Sequence, residues 1–440
     1  MLSKMRLPVL SLFLLLSSIA PAQAQNFKVQ EAALDNGLKV LLLEDHKSAV
    51  VTFQVWYRVG SRNEIDGRSG LAHFLEHMMF KGTKKMKPEE YSRIIAQNGG
   101  NSNAFTTEDH TVYFATMSRD KIGVEIELEA DRMTNAVLDD YESEKMVVME
   151  ERRLRTEDNP GAALDEVMGA IVYTVYPYRR PVIGWMSDIL NLSGDDLRQF
   201  YKTYYAPNNA FIVVVGDFDA QQILAKIKQE FGKIARGAAA PKVTLEEPPQ
   251  KGERRVALKK EAELPLLSMY YHVPNLQDSD GFALDLLSVI LASGRSSRLY
   301  QDLVYNKRIA TGVDADYDGV SIGPAIFSFT AQVMPDKQQA EVESAIDKVV
   351  AQVRSEPVSD RELEKAKNQV EAAFVFGQDS IFGQALRIGQ FESVAKWQFI
   401  NAYLPGIRAV TAADVLRVAK KYLDPDHRTV GTLVPTKETK

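Results

Sequence analysis

The chain has 440 residues and no cysteine. Disulfides are therefore excluded, as is acylation of an N-terminal cysteine, and any transition-metal site has to be built from histidine and carboxylates. Histidine itself is scarce, with six in the chain. Basic charge is not in excess either: 53 Lys and Arg stand against 59 Asp and Glu, a formal net charge of −6. That balance gives no electrostatic reason to expect nucleic acid or an anionic membrane surface as a partner, and it leaves basic peptides open as ligands. Long apolar runs are missing after Ala24, so no later segment reads as a membrane span. What remains is ordinary globular composition, 45% hydrophobic and 25% charged, with length enough for two or three domains.

The N-terminus reads as a targeting segment. Lys4 and Arg6 form a charged start, and Leu7 to Ala20, interrupted by Pro8, forms an apolar run. Ala22-Gln23-Ala24 is a small-x-small cleavage site, so residues 1–24 are expected to be a signal peptide and the mature chain to start at Gln25. An uncleaved anchor is the alternative, for which the run is short. The signal has a bacterial character, which points to the periplasm of a Gram-negative cell.

The chemistry centres on Gly70-Leu71-Ala72-His73-Phe74-Leu75-Glu76-His77-Met78-Met79-Phe80. On a helix, His73 and His77 are one turn apart and point the same way. Two imidazoles on one face can grip a metal ion, and Glu76 beside them can hold a water there. A core helix with satisfied histidines is the bland reading. In a chain with so few histidines, a chance His-x-x-Glu-His has odds of about one in a hundred, and the metal reading is preferred. A third ligand must come from elsewhere. Glu144 and Glu151 lie two turns apart on one stripe of a charged helix over Ser143–Thr156, which otherwise reads as a solvated face. His110 is a further candidate, but nothing in the sequence fixes its direction.

Around the motif the pattern is mixed. Lys28–Leu34 and Leu38–Leu43, joined by Asp35-Asn36-Gly37, predict a hairpin, and Val50–Val59 a third strand. A helix is expected from Pro88 to Gln97, one or two strands over Asn101–Met117, another helix over Asp120–Leu138, and a buried strand at Ala210–Val215. Residues 236–252 are rich in Ala, Pro and charge without periodicity and read as a linker. After it the pattern restarts. Pro265–Val273 echoes Val51–Val59, and Gly281–Ser293 echoes the motif helix, with Asp285, Ser288 and Val289 against His73, Glu76 and His77. Ser193 to Asp196 and Thr411 to Asp414 start matching helices. The shared order predicts a duplication: residues 25–235 and 253–440 as homologous domains, the second without the metal chemistry.

With these residues in hand, the chain resembles the M16 (pitrilysin-type) family of zinc metallopeptidases, in the short form that includes the mitochondrial processing peptidase β-subunit and many bacterial zinc proteases. The resemblance rests on His73 to Met78 with Lys81-Gly82-Thr83, on Gly100 to Thr106, on Glu144-Lys145 with Glu150-Glu151, on Pro181-Val182-Ile183-Gly184, and on Tyr205 to Ala210 with Gly216-Asp217. It implies an α+β fold of two homologous α/β domains, each a mostly antiparallel sheet packed with helices (the LuxS/MPP-like metallohydrolase fold). It implies one Zn²⁺ per chain, held by His73, His77 and Glu151. Glu76 becomes the general base, Glu144 orients a ligand, and Asn103, Ala104 and Phe105 bind the substrate backbone by strand addition.

One part of the family pattern is missing. The second half of active members supplies an Arg and, seven residues later, a Tyr. Over Leu303–Thr311 those positions hold Val304 and Thr311, while Arg298 and Tyr305 keep the spacing six residues too early. The resemblance then implies a heterodimer with a zinc-less homologue carrying the Arg and Tyr, or a homodimer if Arg308, Tyr305 or another donor substitutes. The expected activity is zinc-dependent cleavage of peptides in a chamber. A processing peptidase for one precursor and a non-catalytic structural subunit stand as alternatives.

Overall fold

The computed structural model describes residues 27–436, so the expected signal peptide lies outside the described residues. Two sheets organise the chain. The first has the order β1 (Gln30–Ala33), β2 (Lys39–Glu44), β6 (Ala210–Gly216), β3 (Val50–Tyr57), β5 (Thr111–Ser118), β4 (Asn101–Thr106). The second runs β7 (Arg254–Glu261), β11 (Arg428–Thr436), β8 (Leu266–Val273), β10 (Ala325–Val333), β9 (Ala310–Asp318). Apart from β1, the two orders correspond strand for strand. The single parallel contact also recurs, β2 with β6 and β7 with β11, and every other pairing is antiparallel. The fold is α+β, two mixed sheets each packed with helices.

The expected hairpin, the Val50 strand and the motif helix all form. Asn101–Met117 is two strands, β4 and β5. The charged helix spans Tyr141–Arg152 and then widens into a π turn over Arg153–Glu157, earlier than the regular end its sequence predicts. Both capping boxes are present: Ser193 with Asp196, and Thr411 with Asp414. Residues 236–251 carry neither helix nor strand, yet they are pinned. The Glu247 carboxylate accepts the backbone N–H groups of Thr174, Val175 and Tyr176 at 2.7–2.9 Å.

Side chains alternate across a strand, so an all-apolar strand needs cover on both faces. β6 is such a strand. Ile212 and Val214 point into a core shared with the motif helix, whereas Phe211, Val213 and Val215 point into a second core built mostly from residues after 265. That second face is covered by the helix Ile381–Val394, which packs on β3 and β6. Contact is close: a Cβ on Gly389 would lie 2.1 Å from the Trp56 ring. In return, the helix Pro160–Val172 covers the second sheet. Its Leu164 and Met168 bury against Leu433, and a Cβ on Gly431 would lie 2.3 Å from the Met168 sulfur. Each half thus lends a helix to the other's sheet.

Candidate active site and metal centre

The motif helix, Leu71–Met78, buries Leu71, Phe74, Leu75 and Met78 and turns its polar residues outward to a large cavity. Its start is held by residues no local pattern reveals. The buried Glu64 carboxylate accepts the N–H groups of Gly70 (2.8 Å) and Ala72 (2.7 Å), satisfying donors that a helix N-terminus leaves free. Gly70 has φ +89° and lies against Gly184, where a Cβ would meet the Gly70 Cα at 2.6 Å. Only glycine allows this crossing of the 181–184 segment over the helix start.

His73, His77 and Glu151 come together, with one ligand atom from each within 4.8 Å of the others. The Glu151 Oε2 is 3.0 Å from His77 Nε2 and 3.6 Å from His73 Nε2, and its other oxygen takes Arg155 at 2.6 Å. Glu144, two turns before Glu151, accepts His77 Nδ1 at 2.8 Å and Lys81 Nζ at 2.5 Å. That contact fixes which ring nitrogen of His77 faces Glu151. Glu76 leans the other way, accepting the Thr106 hydroxyl of β4 at 2.5 Å. Burial raises the Glu76 carboxyl above its ordinary range, against the Thr106 hydrogen bond. Burial and the nearby His77 push His73 down to about 4.

The donor set fits a zinc ion. Two imidazoles and a carboxylate converge, and the buried Glu151 Oε2 that faces both rings makes no well-formed hydrogen bond. Burial lowers His77, but Glu144 and Glu151 outweigh it and push the ring up to about 9 in the metal-free protein. Metal uptake at neutral pH must therefore expel that proton. Affinity is expected to climb by about tenfold per pH unit from pH 7 towards 9 as this competition fades. Glu144→Gln should shift that climb to lower pH and weaken the metal by about tenfold to hundredfold. Titration calorimetry in buffers of different ionisation enthalpy measures both.

Asn103, Ala104 and Phe105 lie on the wall of the same cavity, whose volume is about 1300 Å³. β4 pairs only with β5, so its other edge is free among the described residues. Met146, Val147 and Leu154 add an apolar, solvent-exposed stretch to the cavity lining. His110 does not join the metal cluster. Its ring is buried against Trp56, 4.8 Å between centroids.

Solved structures and sequences place this arrangement. Residues 39–184 match the insulinase (peptidase family M16) model, and residues 191–370 match the peptidase M16 inactive domain. Zinc protease PqqE of Helicobacter pylori is 32% identical over 438 residues, 98% of each chain. The chain belongs to peptidase family M16. It is a zinc metallopeptidase of that family, with His73 and His77 at the metal site. The crystal structure of a protease from Helicobacter pylori superposes with a TM-score of 0.90 at 32% identity, covering 93% of this chain and 100% of that one. The periplasmic protease PqqL of Escherichia coli shares the fold at 20% identity and a TM-score of 0.79, covering 94% of this chain and 48% of that one.

The second half of this M16 peptidase keeps the helix, Asp280–Ala292, without the chemistry. Asp285 accepts the Tyr403 hydroxyl, Ser288 donates to the Asp285 carbonyl at 2.8 Å, and Val289 is apolar. Val304 packs partly buried against the core. Thr311 donates to the Gln332 side chain at 2.6 Å, Arg298 is tied to Glu362 at 2.8 and 3.0 Å, and Tyr305 is 65% exposed. The sequence gives no role to Glu64 or Arg155, and it offers Lys81 and Thr106 only as parts of the motifs that carry the resemblance. Lys81 lies one turn beyond His77 and Arg155 one turn beyond Glu151, the two local signals among the four.

Proposed function

We propose that this M16 peptidase is a zinc-dependent endopeptidase that cleaves peptides or unfolded segments in a chamber, with one zinc per chain held by His73, His77 and Glu151. The carrying observation is the meeting of those three donors beside Glu76, on the wall of a cavity floored by the free edge of β4. Zinc, when bound, supplies a Lewis acid that polarises the scissile carbonyl and lowers the pKa of water towards about 7. Glu76 takes the proton of the attacking water and passes it to the leaving amine. Thr106 keeps the Glu76 carboxylate aimed, Glu144 holds His77 in the required tautomer, and Lys81 anchors Glu144. Backbone groups of Asn103, Ala104 and Phe105 bind the substrate as an added strand.

Residues 25–235 and 253–440 form the two domains, with 236–252 as the connection, after removal of residues 1–24 on export to the periplasm. No helix among the described residues is long and apolar enough to cross a membrane. Val304 and Thr311 cannot stabilise an oxyanion as Arg and Tyr do, so a zinc-less M16 homologue supplies both in trans across a dimer. The deciding experiment is cleavage of a quenched fluorescent peptide library by the zinc-loaded mature chain, with and without chelator, then with the homologue added. Chelator-sensitive cleavage that rises at least tenfold on mixing is expected. Full activity of the chain alone would remove the partner, and activity indifferent to chelator would remove the zinc mechanism.

A further inference from the structure

The second half keeps a cavity over the helix that matches the motif helix. In the first half His73 and His77 line the large cavity. In the second half Asp285 and Val289 hold the matching positions on Asp280–Ala292 and line a cavity of about 370 Å³. That volume is at the small end for a ligand pocket. Val370, Phe374 and Phe391 make much of its wall apolar, and Arg387 lies on the same wall.

Two half-buried charges of opposite sign are left without ion pairs here. Arg387 lies over the Phe374 ring, 4.4 Å from its centroid, and its Nη1 donates to the Phe374 carbonyl at 2.9 Å. Among the described residues no carboxylate meets it, and burial holds the guanidinium below its ordinary range. Asp285 accepts the Tyr403 hydroxyl, and among the described residues no cation meets it. Burial pushes its carboxyl up to about 6, against the Tyr403 hydrogen bond and with Asp316 adding to the rise. A short run of rings joins the two charges, since Phe374 stacks on Tyr403 at 5.5 Å between centroids. Taking a charge out of water without a partner is costly, and here one of each sign is held that way on one cavity.

We propose that this cavity binds a zwitterion, a free apolar amino acid or dipeptide, with its carboxylate on Arg387, its ammonium group on Asp285 and its side chain on the apolar wall. Such a ligand completes a charge-assisted pair at each end. A plain anion or a plain cation would satisfy one charge and face a like charge at the other. Gln369 and Gln390 line the cavity too and offer neutral donors and acceptors for a peptide bond. The site stands on these groups and not on the peptidase reading.

Titration calorimetry on the full mature chain carrying Glu76→Gln, which prevents turnover of a dipeptide, uses leucine and leucyl-leucine as probes. At least one should bind, and the tighter of the two gives the length of the ligand. Acetylating its amino group, or amidating its carboxylate, should each weaken binding about tenfold or more, the worth of a charge-assisted contact. Arg387→Gln should weaken the free ligand to the level of its amide and leave the amide unaffected. Asp285→Asn should do the same with respect to the acetylated form. No binding of either probe at about 10 mM, blocked ligands that bind as well as free ones, or binding indifferent to Arg387→Gln each overturns the site. Should that variant fail to fold, the free and blocked ligands on the Glu76→Gln chain decide.

Discussion

Glu76→Gln is expected to lower kcat by about a thousandfold or more while zinc stays bound, the upper part of the range for a positioned acid–base group. Glutamine keeps the shape of glutamate and can still accept the Thr106 hydroxyl, so the wall of the cavity is preserved. It cannot take a proton. The candidate metal donors His73, His77 and Glu151 are untouched, and their contacts with Glu144 and Arg155 do not involve Glu76. KM should move little, because the loss falls on the step that transfers the proton. Steady-state kinetics with metal analysis of the same sample measures both halves of the statement. A variant retaining a tenth of the activity would place the base elsewhere.

Gly389→Val should cost roughly 3 kcal/mol or more of stability, at the upper end of overpacking and beyond an ordinary surface change. In a bare helix the exchange of glycine for a larger residue is favourable by a few tenths to about 1 kcal/mol. Here the new Cβ would lie 2.1 Å from Cε2 and Cζ2 of Trp56. The indole cannot step aside. It is fully buried, stacked on Phe211 at 5.6 Å and donating to Gln54 at 2.9 Å. Urea unfolding gives the loss, and combining the change with Trp56→Leu should recover part of it through non-additivity. Gly389→Val with unchanged stability would mean that the helix does not lie on the first sheet as described.

The histidine pair was legible because its information is local. Two residues one helical turn apart, in an apolar segment, need no tertiary knowledge. Glu151 was one of several charges on its helix, and the resemblance rather than the spacing singled it out. Thr106 and Glu64 carry no signal of their own: a threonine in a strand and a glutamate in a loop become a carboxylate's anchor and a helix cap only after folding brings them within 2.5–2.8 Å of their partners. The duplication was legible in order and caps, and the matched sheets follow it. The helix exchange was not. β6 reads as buried on both faces, but nothing in Ala210–Gly216 says that the second cover arrives from residues 381–394.

That exchange bears on biogenesis. As the chain leaves the ribosome, the face of the first sheet carrying Trp56, Phe211, Val213 and Val215 has no partner until Ile381–Val394 has been made. The N-terminal half alone therefore cannot reach its final stability, although it holds His73, His77 and Glu151. The first sheet therefore gains its second cover only when translation is almost over, which postpones completion of the fold around the proteolytic site.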